Sequence, residues 1–542
     1  MKNFLFIFLS ICFTANLNAQ KPFVKGWHLL DYEKDGYLGI SLHKAYDLLK
    51  GRKSLPVIVG VIDSGVDTTH EDLKNVLWHN PGEIPGDGKD NDGNGYIDDV
   101  YGWNFLGNAA GENVTKESME ITRIYQKYAP KFAGKTIDTT SLSAGEKAEY
   151  AIWKRADKEA EFSDEDRQML RMVKAIYNSF AQYDSLLVKG MGRPEYSKAE
   201  LELYEPSERA ESRAKMSVIQ LYQMLQFEDE KTNSEIIEEL NAYISHQEAQ
   251  ATVRTATGYD MRGMITGDDP YDWNSREYGN SDVMATTSRH GTHVSGIIGA
   301  RRNNGLGIDG IADNVKIMAI RAVPDGDEHD KDIALAIRYA VDNGAKVINM
   351  SFGKGFSPRK AWVDDAIRYA ASKDVLLVTG SGNDAQNTDE IPSFPTDRLD
   401  DGSTAVNLIN VSASSDVSIG PDIVADFSNY GKQSVDVLAP GKKIYSTVPA
   451  GNRYALMDGT SMASPVVAGI AALLRSYFPE LTAHQTRQLI ERSADRRFAG
   501  QMVTVPGKDP NDRRQQVLDE LFAQPGIVNA AVAVEMALEI KK

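Results

Sequence analysis

At 542 residues the chain exceeds what one ordinary domain needs, so a large domain with a second lobe or an insertion is expected. Its 60 basic and 77 acidic residues leave a formal charge of -17, which argues against nucleic acid or an anionic membrane as the main partner. An acidic exterior is compatible with solubility and with calcium binding.

Met1-Lys2-Asn3, an apolar stretch over residues 4–13 and the run Leu17-Asn18-Ala19 have the basic, apolar and small-residue regions of a secretory signal, read as residues 1–19. The stretch is shorter than the roughly 20 apolar residues of a membrane-spanning helix. The only cysteine, Cys12, lies inside it, so the exported chain would carry no thiol and no disulfide. Lipid attachment at Cys12 is the alternative, but Ile11 stands where a small residue would be expected.

Residues 27–49 read as an N-terminal arm and helix. Val57-Ile58-Val59-Gly60-Val61-Ile62 then reads as a buried parallel strand that ends on Asp63. In Asp90-Asn91-Asp92-Gly93-Asn94-Gly95-Tyr96-Ile97-Asp98, side-chain oxygens alternate about a glycine turn, as a hard cation with several oxygen ligands requires. Asp90, Asp92, Asn94, Tyr96 and Asp98 are therefore candidate calcium ligands. The start resembles an EF-hand loop, but the twelfth position is Tyr101 rather than Glu, so Asp98 or Asp99 would have to close the site. A chain of Asx turns without metal is the competing reading.

Residues 106–256 change to charged, amphipathic helix. Ser163-Asp164-Glu165-Asp166 resembles an N-cap followed by the stripe Met169, Val173, Ile176, Phe180 and Leu187. Ser197-Lys198-Ala199-Glu200 reads as a capping box, and Ile236, Ile237, Leu240, Tyr243 and Ile244 form another stripe, which together suggest a bundle of three or four helices. Strand and helix signals then alternate. A helix over residues 332–343 ends at Gly344, Val347-Ile348-Asn349-Met350 leads into Ser351-Phe352-Gly353, and Val375-Leu376-Leu377-Val378 leads into Gly380-Ser381-Gly382-Asn383. Chemistry-bearing residues at strand ends favour one shared cleft. Residues 461–477 read as a helix starting at Ser461, with Pro465 placed in the first turn, where its missing N–H costs little.

Gly459-Thr460-Ser461-Met462-Ala463-Ser464-Pro465 resembles the nucleophile motif of the subtilisin-like serine peptidases, or subtilases. His290-Gly291-Thr292-His293-Val294-Ser295-Gly296 resembles the family's histidine motif, and Val61-Ile62-Asp63-Ser64-Gly65-Val66-Asp67 its aspartate motif. The order Asp, His, Ser is the family's. A serine hydroxyl is a poor nucleophile near neutral pH unless an imidazole takes its proton and a carboxylate fixes that imidazole's tautomer. By position, the resemblance makes Ser461 the nucleophile, His290 the general base and later general acid, and Asp63 the orienting carboxylate. His293 is set aside, because the first histidine of the family motif does the chemistry.

The resemblance extends to Asn383, matched to the family's oxyanion-hole asparagine, with the Ser461 N–H as second donor. Ser351-Phe352-Gly353 resembles the segment that pairs with the substrate backbone and walls the first specificity pocket. Gly380, Ser381 and Gly382 are placed with it as substrate-binding residues, and a large apolar or aromatic residue before the scissile bond is expected. Asp72 matches an aspartate that commonly binds calcium in the family, with Asn303-Asn304-Gly305-Leu306-Gly307 as partner loop.

The expected architecture is α/β, a mainly parallel sheet flanked by helices over residues 20–105 and 257–542, interrupted by an all-α insertion over 106–256. No separate pro-segment is visible, and little chain follows the last catalytic-domain segment at Gly526-Ile527-Val528-Asn529-Ala530. The implied function is that of a serine endopeptidase, periplasmic or secreted, acting on protein or peptide through an acyl-enzyme, with structural rather than catalytic calcium. A binding module on a peptidase fold would predict a damaged triad, and the residues are intact. An esterase or peptide ligase would use the same chemistry. Asp63 and His290 are 227 positions apart, so the insertion falls inside the triad, where it is expected to lean over the cleft or assist folding; a passive docking surface is the alternative.

Overall fold

The computed structural model describes residues 23–225, 227, 229, 231–256, 260–285, 288–420, 422–507 and 513–540. The secretory-signal reading of residues 1–19 and the boundary at residue 257 lie outside them. Among the described residues no helix is long and apolar enough to cross a membrane.

Strands with helices on both faces need no polar side, which is why the aliphatic runs pair in parallel. β1 (Val57–Asp63), β2 (Gly102–Asn104), β3 (Val315–Arg321), β4 (Val347–Met350), β5 (Leu376–Gly380), β6 (Leu408–Ser414) and β7 (Val437–Pro440) form one sheet in the order β2-β3-β1-β4-β5-β6-β7. Every adjacent pair is parallel. Ile62 stands opposite Met350, and Met350 opposite Thr379, so Asp63, Ser351 and residues 381–383 leave the sheet along one edge. A separate antiparallel hairpin, β8 (Ile444–Val448) and β9 (Arg453–Met457), lies against the helix that carries His290. The α/β expectation is met.

The helices, in chain order, are α1 (Tyr32–Asp35), α2 (Leu42–Leu48), α3 (Glu120–Phe132), α4 (Ala144–Glu159), α5 (Asp164–Met191), α6 (Lys198–Leu203), α7 (Arg209–Met224), α8 (Asn233–Thr252), α9 (Met261–Thr266), α10 (Arg289–Gly299), α11 (Asp330–Asp342), α12 (Lys360–Ser372), α13 (Thr460–Tyr477), α14 (Ala483–Arg492) and α15 (Ala530–Ile540). α13 is the central helix: every one of its residues except Ser461 is buried, against β1, β4, β5, β6, β7 and α10. Pro465 sits in the second turn of α13, not the first. Its ring removes the bond that would close on the Ser461 carbonyl, and the Ser351 hydroxyl donates to that carbonyl instead, at 2.8 Å. A proline the sequence reading treated as neutral thereby ties the serine to the end of β4.

Among the described residues six helices, α3 to α8, fill the charged segment, where three or four were expected. α4 buries only Trp153 and Ala156, and α6 only Leu201, too few to show as stripes. Capping boxes start α4, α5, α6 and α8 at Ser143, Ser163, Ser197 and Thr232, each satisfying two end groups. The outer helices share an apolar cluster around Phe180, Leu187, Val218, Tyr222 and Ile236. A second cluster joins Ile121, Ile124, Ala156 and Val253 to Phe356, which follows β4, so the helical segment packs directly on the sheet domain.

Candidate active site

Asp63 ends β1 with its carboxylate 1% exposed. Its Oδ1 accepts from the Ser64 N–H at 2.7 Å and meets His290 Nδ1 at 2.7 Å. Because Nδ1 faces a carboxylate, it carries the proton, which leaves Nε2 as the free base. Burial lowers the imidazole pKa, but the charge of Asp63 and its hydrogen bond outweigh this and hold His290 above its ordinary value. The ring remains 38% exposed, open to the cleft. Gly291 is what lets α10 come this close: a Cβ there would fall 2.2 Å from the Gly65 carbonyl oxygen.

His293, one turn on, is fully buried. Its Nε2 donates to the carbonyls of Ile444 and Ala455 at 3.0 and 3.1 Å, and burial pushes its pKa down to about 3. It pins the β8–β9 hairpin to α10, helped by Ser446 and Thr447, which donate to the carbonyls of His293 and Thr292.

Ser461 is the second residue of α13, where backbone N–H groups have no partner within the helix. Its hydroxyl donates to the Ser351 carbonyl at 3.1 Å, and it lines with His290 and Asn383 a cavity of about 510 Å³. Asn383 is oriented by a residue the sequence reading passed over. The Thr460 N–H and hydroxyl both donate to Asn383 Oδ1, at 2.9 and 3.0 Å, so the amide NH2 is turned the other way. The Thr460 hydroxyl also accepts from the Gly382 N–H at 3.1 Å. Asn429 was missed too: its Nδ2 donates to the Ser381 carbonyl and its Oδ1 accepts from the N–H groups of Asp384 and Gln386. Thr460 stood inside the nucleophile motif with no role assigned to it, and Asn429 lies 46 positions from Asn383 in a loop.

On the other side of Ser461, a cleft of about 520 Å³ is lined by Ser351, Phe352, Gly353, Gly380, Gly382 and Asn383. Ser393 joins them, 3.2 Å from where a Gly353 Cβ would stand. Ser381 is fully buried behind this wall, its hydroxyl meeting Ser412 and the Asn429 carbonyl. The helical segment borders the same cleft through Arg155 and Glu159 of α4 and His246 and Gln250 of α8. Arg155 stacks on Phe356 at 4.2 Å, and Glu238 of α8 pairs with Arg289, next to His290, at 3.0 Å. Lys354 is buried with Glu120 of α3 at 2.8 Å and Asp330 at 2.9 Å, anchoring the segment after Ser351-Phe352-Gly353 to the first helix.

In the glycine loop, Asp90 accepts from the N–H groups of Gly93, Asn94 and Gly95, and these bonds, that from Gly95 foremost, hold its carboxyl below the usual range. Asp90 and Asp92 gather with Glu83, which the motif did not include; carboxylate oxygens of the three lie within 4.8 Å of one another. Glu83 Oε2 is buried without a hydrogen-bond partner, as a carboxylate placed for a cation would be. Asp98 turns away to accept from Gly86 and Gly88, Asn94 Oδ1 accepts from the Tyr96 N–H, and Asn94 Nδ2 donates to Asp99. Asp72 is fully buried, with Asn304 Nδ2 and the Tyr454 hydroxyl donating to its two oxygens, so a cation there would have to displace a donor.

The model of the Subtilase family matches residues 56–522. The thermophilic serine proteinase of Bacillus sp. (strain AK1) is 38% identical over 279 residues, 51% of this chain and 63% of that protein. The cell wall-associated protease of Bacillus subtilis (strain 168) is 37% identical over 237 residues, 44% of this chain and 24% of that protein. The chain thus spans less than two-thirds of these two relatives. Thermitase of Thermoactinomyces vulgaris is 34% identical over 238 residues, 44% of this chain and 76% of that protein.

Proposed function

The chain belongs to the subtilase family of serine endopeptidases, and from that premise we propose that it hydrolyses peptide bonds with Ser461 as nucleophile, His290 as base and Asp63 as orienting carboxylate. The observation that carries this reading is the Asp63–His290 hydrogen bond, which sets the tautomer with Nε2 free beside the cavity shared with Ser461. Rotation of the Ser461 side chain off the Ser351 carbonyl hands its proton to Nε2 as Oγ attacks the scissile carbon. The imidazolium formed is stabilised by Asp63 and then protonates the departing amine; water repeats the sequence to release the acyl group. The charge that develops on the carbonyl oxygen is met by the Asn383 amide and the Ser461 N–H at the start of α13, donors fixed before reaction.

The substrate is an extended polypeptide laid against Ser351-Phe352-Gly353, with a large apolar side chain directed into the cleft beside Phe352, Gly380 and Gly382. The helical segment is a lobe inserted between Asp63 and His290 that roofs this cleft and admits unfolded or extended chains in preference to folded ones. Calcium at Glu83, Asp90 and Asp92 would screen their mutual repulsion and stiffen the loop, with no part in bond cleavage. Export to the periplasm or medium accords with the secretory-signal pattern of residues 1–19 and with the cell wall-associated relative.

Labelling with a fluorophosphonate probe tests the nucleophile: the folded chain should label and Ser461→Ala should not. Failure of the folded native chain to label rejects the peptidase reading. Deleting residues 110–255 tests the lobe, with faster cleavage of folded proteins relative to an unstructured peptide as the expected result. An unchanged ratio in a folded deletion variant rejects the roof.

A further inference from the structure

The helical segment leaves and rejoins the sheet domain at two stems, one before α3 and one after α8, and a cluster of ligand-type side chains sits where they meet. Glu117 belongs to the first stem, Asp260 to the second, immediately before α9, and His329 to the sheet domain, immediately before α11. One ligand-type atom of each lies within 4.8 Å of the others.

The histidine distinguishes this cluster from a chance gathering of acids. His329 is 6% exposed, and its Nε2 is buried without a hydrogen-bond partner. Nε2 stands 4.0 Å from Glu117 Oε2, too far for a hydrogen bond. An imidazole nitrogen removed from water and paired with nothing is costly unless something else occupies its lone pair. The neighbouring cations already have carboxylates of their own: Arg262 pairs with Asp268 and Asp332, Lys354 with Glu120 and Asp330, and Arg123 with Glu120. Glu117 Oε2 accepts from the Arg262 N–H and Asp260 Oδ1 from the Gly263 N–H, one bond on each of these oxygens, which leaves lone pairs to share.

We propose that Glu117, Asp260 and His329 form a site for a divalent transition cation of the zinc class, with water completing the coordination. One imidazole nitrogen and two carboxylates suit such an ion, whereas calcium takes oxygen alone. Tetrahedral bonds of about 2.0–2.2 Å place ligand atoms roughly 3.3–3.6 Å apart, so the cluster closes on a cation by moving about 1 Å. Bound there, the ion fastens both stems of the helical segment to the sheet domain and holds the segment in place over the cleft.

The test uses the full chain carrying Ser461→Ala to prevent self-cleavage, stripped of metal, with excess calcium to fill oxygen-only sites. Titration with Co2+ should give a visible d–d absorption and one tightly held equivalent by equilibrium dialysis, displaced by Zn2+, with a rise in thermal midpoint. His329→Ala in the same background should lose that equivalent and the thermal response. Asp260→Asn, a change at an exposed residue whose replacement can still cap, should lose them as well and serves where His329→Ala does not fold. A parent chain with no saturable Co2+ equivalent overturns the site, as does a folded variant that retains the parent's stoichiometry.

Discussion

Thr460→Val removes a hydroxyl that touches no substrate and should nevertheless slow catalysis. Two donors from Thr460, its N–H at 2.9 Å and its hydroxyl at 3.0 Å, hold Asn383 Oδ1 and so aim the amide. The backbone donor survives the substitution. Losing the other forfeits about 0.5–1.5 kcal/mol of orientation, and at about 1.36 kcal/mol per tenfold this becomes a loss of about 2- to 13-fold in kcat. KM should be unchanged, because the amide binds the oxyanion and not the ground-state carbonyl. Thr460→Ser keeps the donor and should restore the rate. The assay is steady-state cleavage of a chromogenic peptide, run also in an Asn383→Ala background, which alone should cost about 10²–10³-fold, the loss that removal of one oxyanion donor causes in subtilisin. In that background Thr460→Val should add nothing, since the group it positions is gone. The Gly382 N–H also loses its acceptor at 3.1 Å, so thermal midpoints are needed alongside. A loss confined to KM, or an undiminished effect without Asn383, refutes the orienting role.

His290 must be neutral to accept the Ser461 proton, and Asp63 raises its pKa; kcat/KM should therefore fall as pH drops through a pKa above 6.5, and Asp63→Asn should move that limb down, which a pH–rate profile of each variant checks. Lys354→Met leaves Asp330 buried without its cation and Glu120 with Arg123 alone, and should cost about 3–5 kcal/mol in urea unfolding of a Ser461→Ala chain. A cost below about 1 kcal/mol would mean that this pair is not what anchors α3. Glu83→Gln should abolish any calcium-dependent rise in thermal midpoint, whereas Asp98→Asn, whose carboxylate instead accepts from Gly86 and Gly88, should retain it.

The strands β1, β4 and β5, the central helix and the three motifs were legible because each is local: aliphatic runs of strand length, a broad apolar face, and reactive residues at strand or helix ends. The starts of α5 and α6 followed from their cap signals at Ser163 and Ser197 for the same reason. What failed to show depends on partners distant in the chain. α4 buries so little of itself that its periodicity is weak, and it is held by neighbours. Pro465 read as harmless until the Ser351 hydroxyl was found on the Ser461 carbonyl.

By itself the sequence determined the chemistry on offer, because a nucleophile, a base and a carboxylate are properties of residue types in short, recognisable settings. It also determined the α/β class, because buried parallel strands such as β1, β4 and β5 must be aliphatic on both faces. Only the tertiary structure decided how these groups are aimed and enclosed: Thr460 on Asn383, Glu83 beside Asp90 and Asp92, and α4 and α8 lining the cleft with Phe352. The physical reason is that orientation and access arise from hydrogen bonds and packing between segments tens to hundreds of residues apart, and no local pattern encodes which segments will meet.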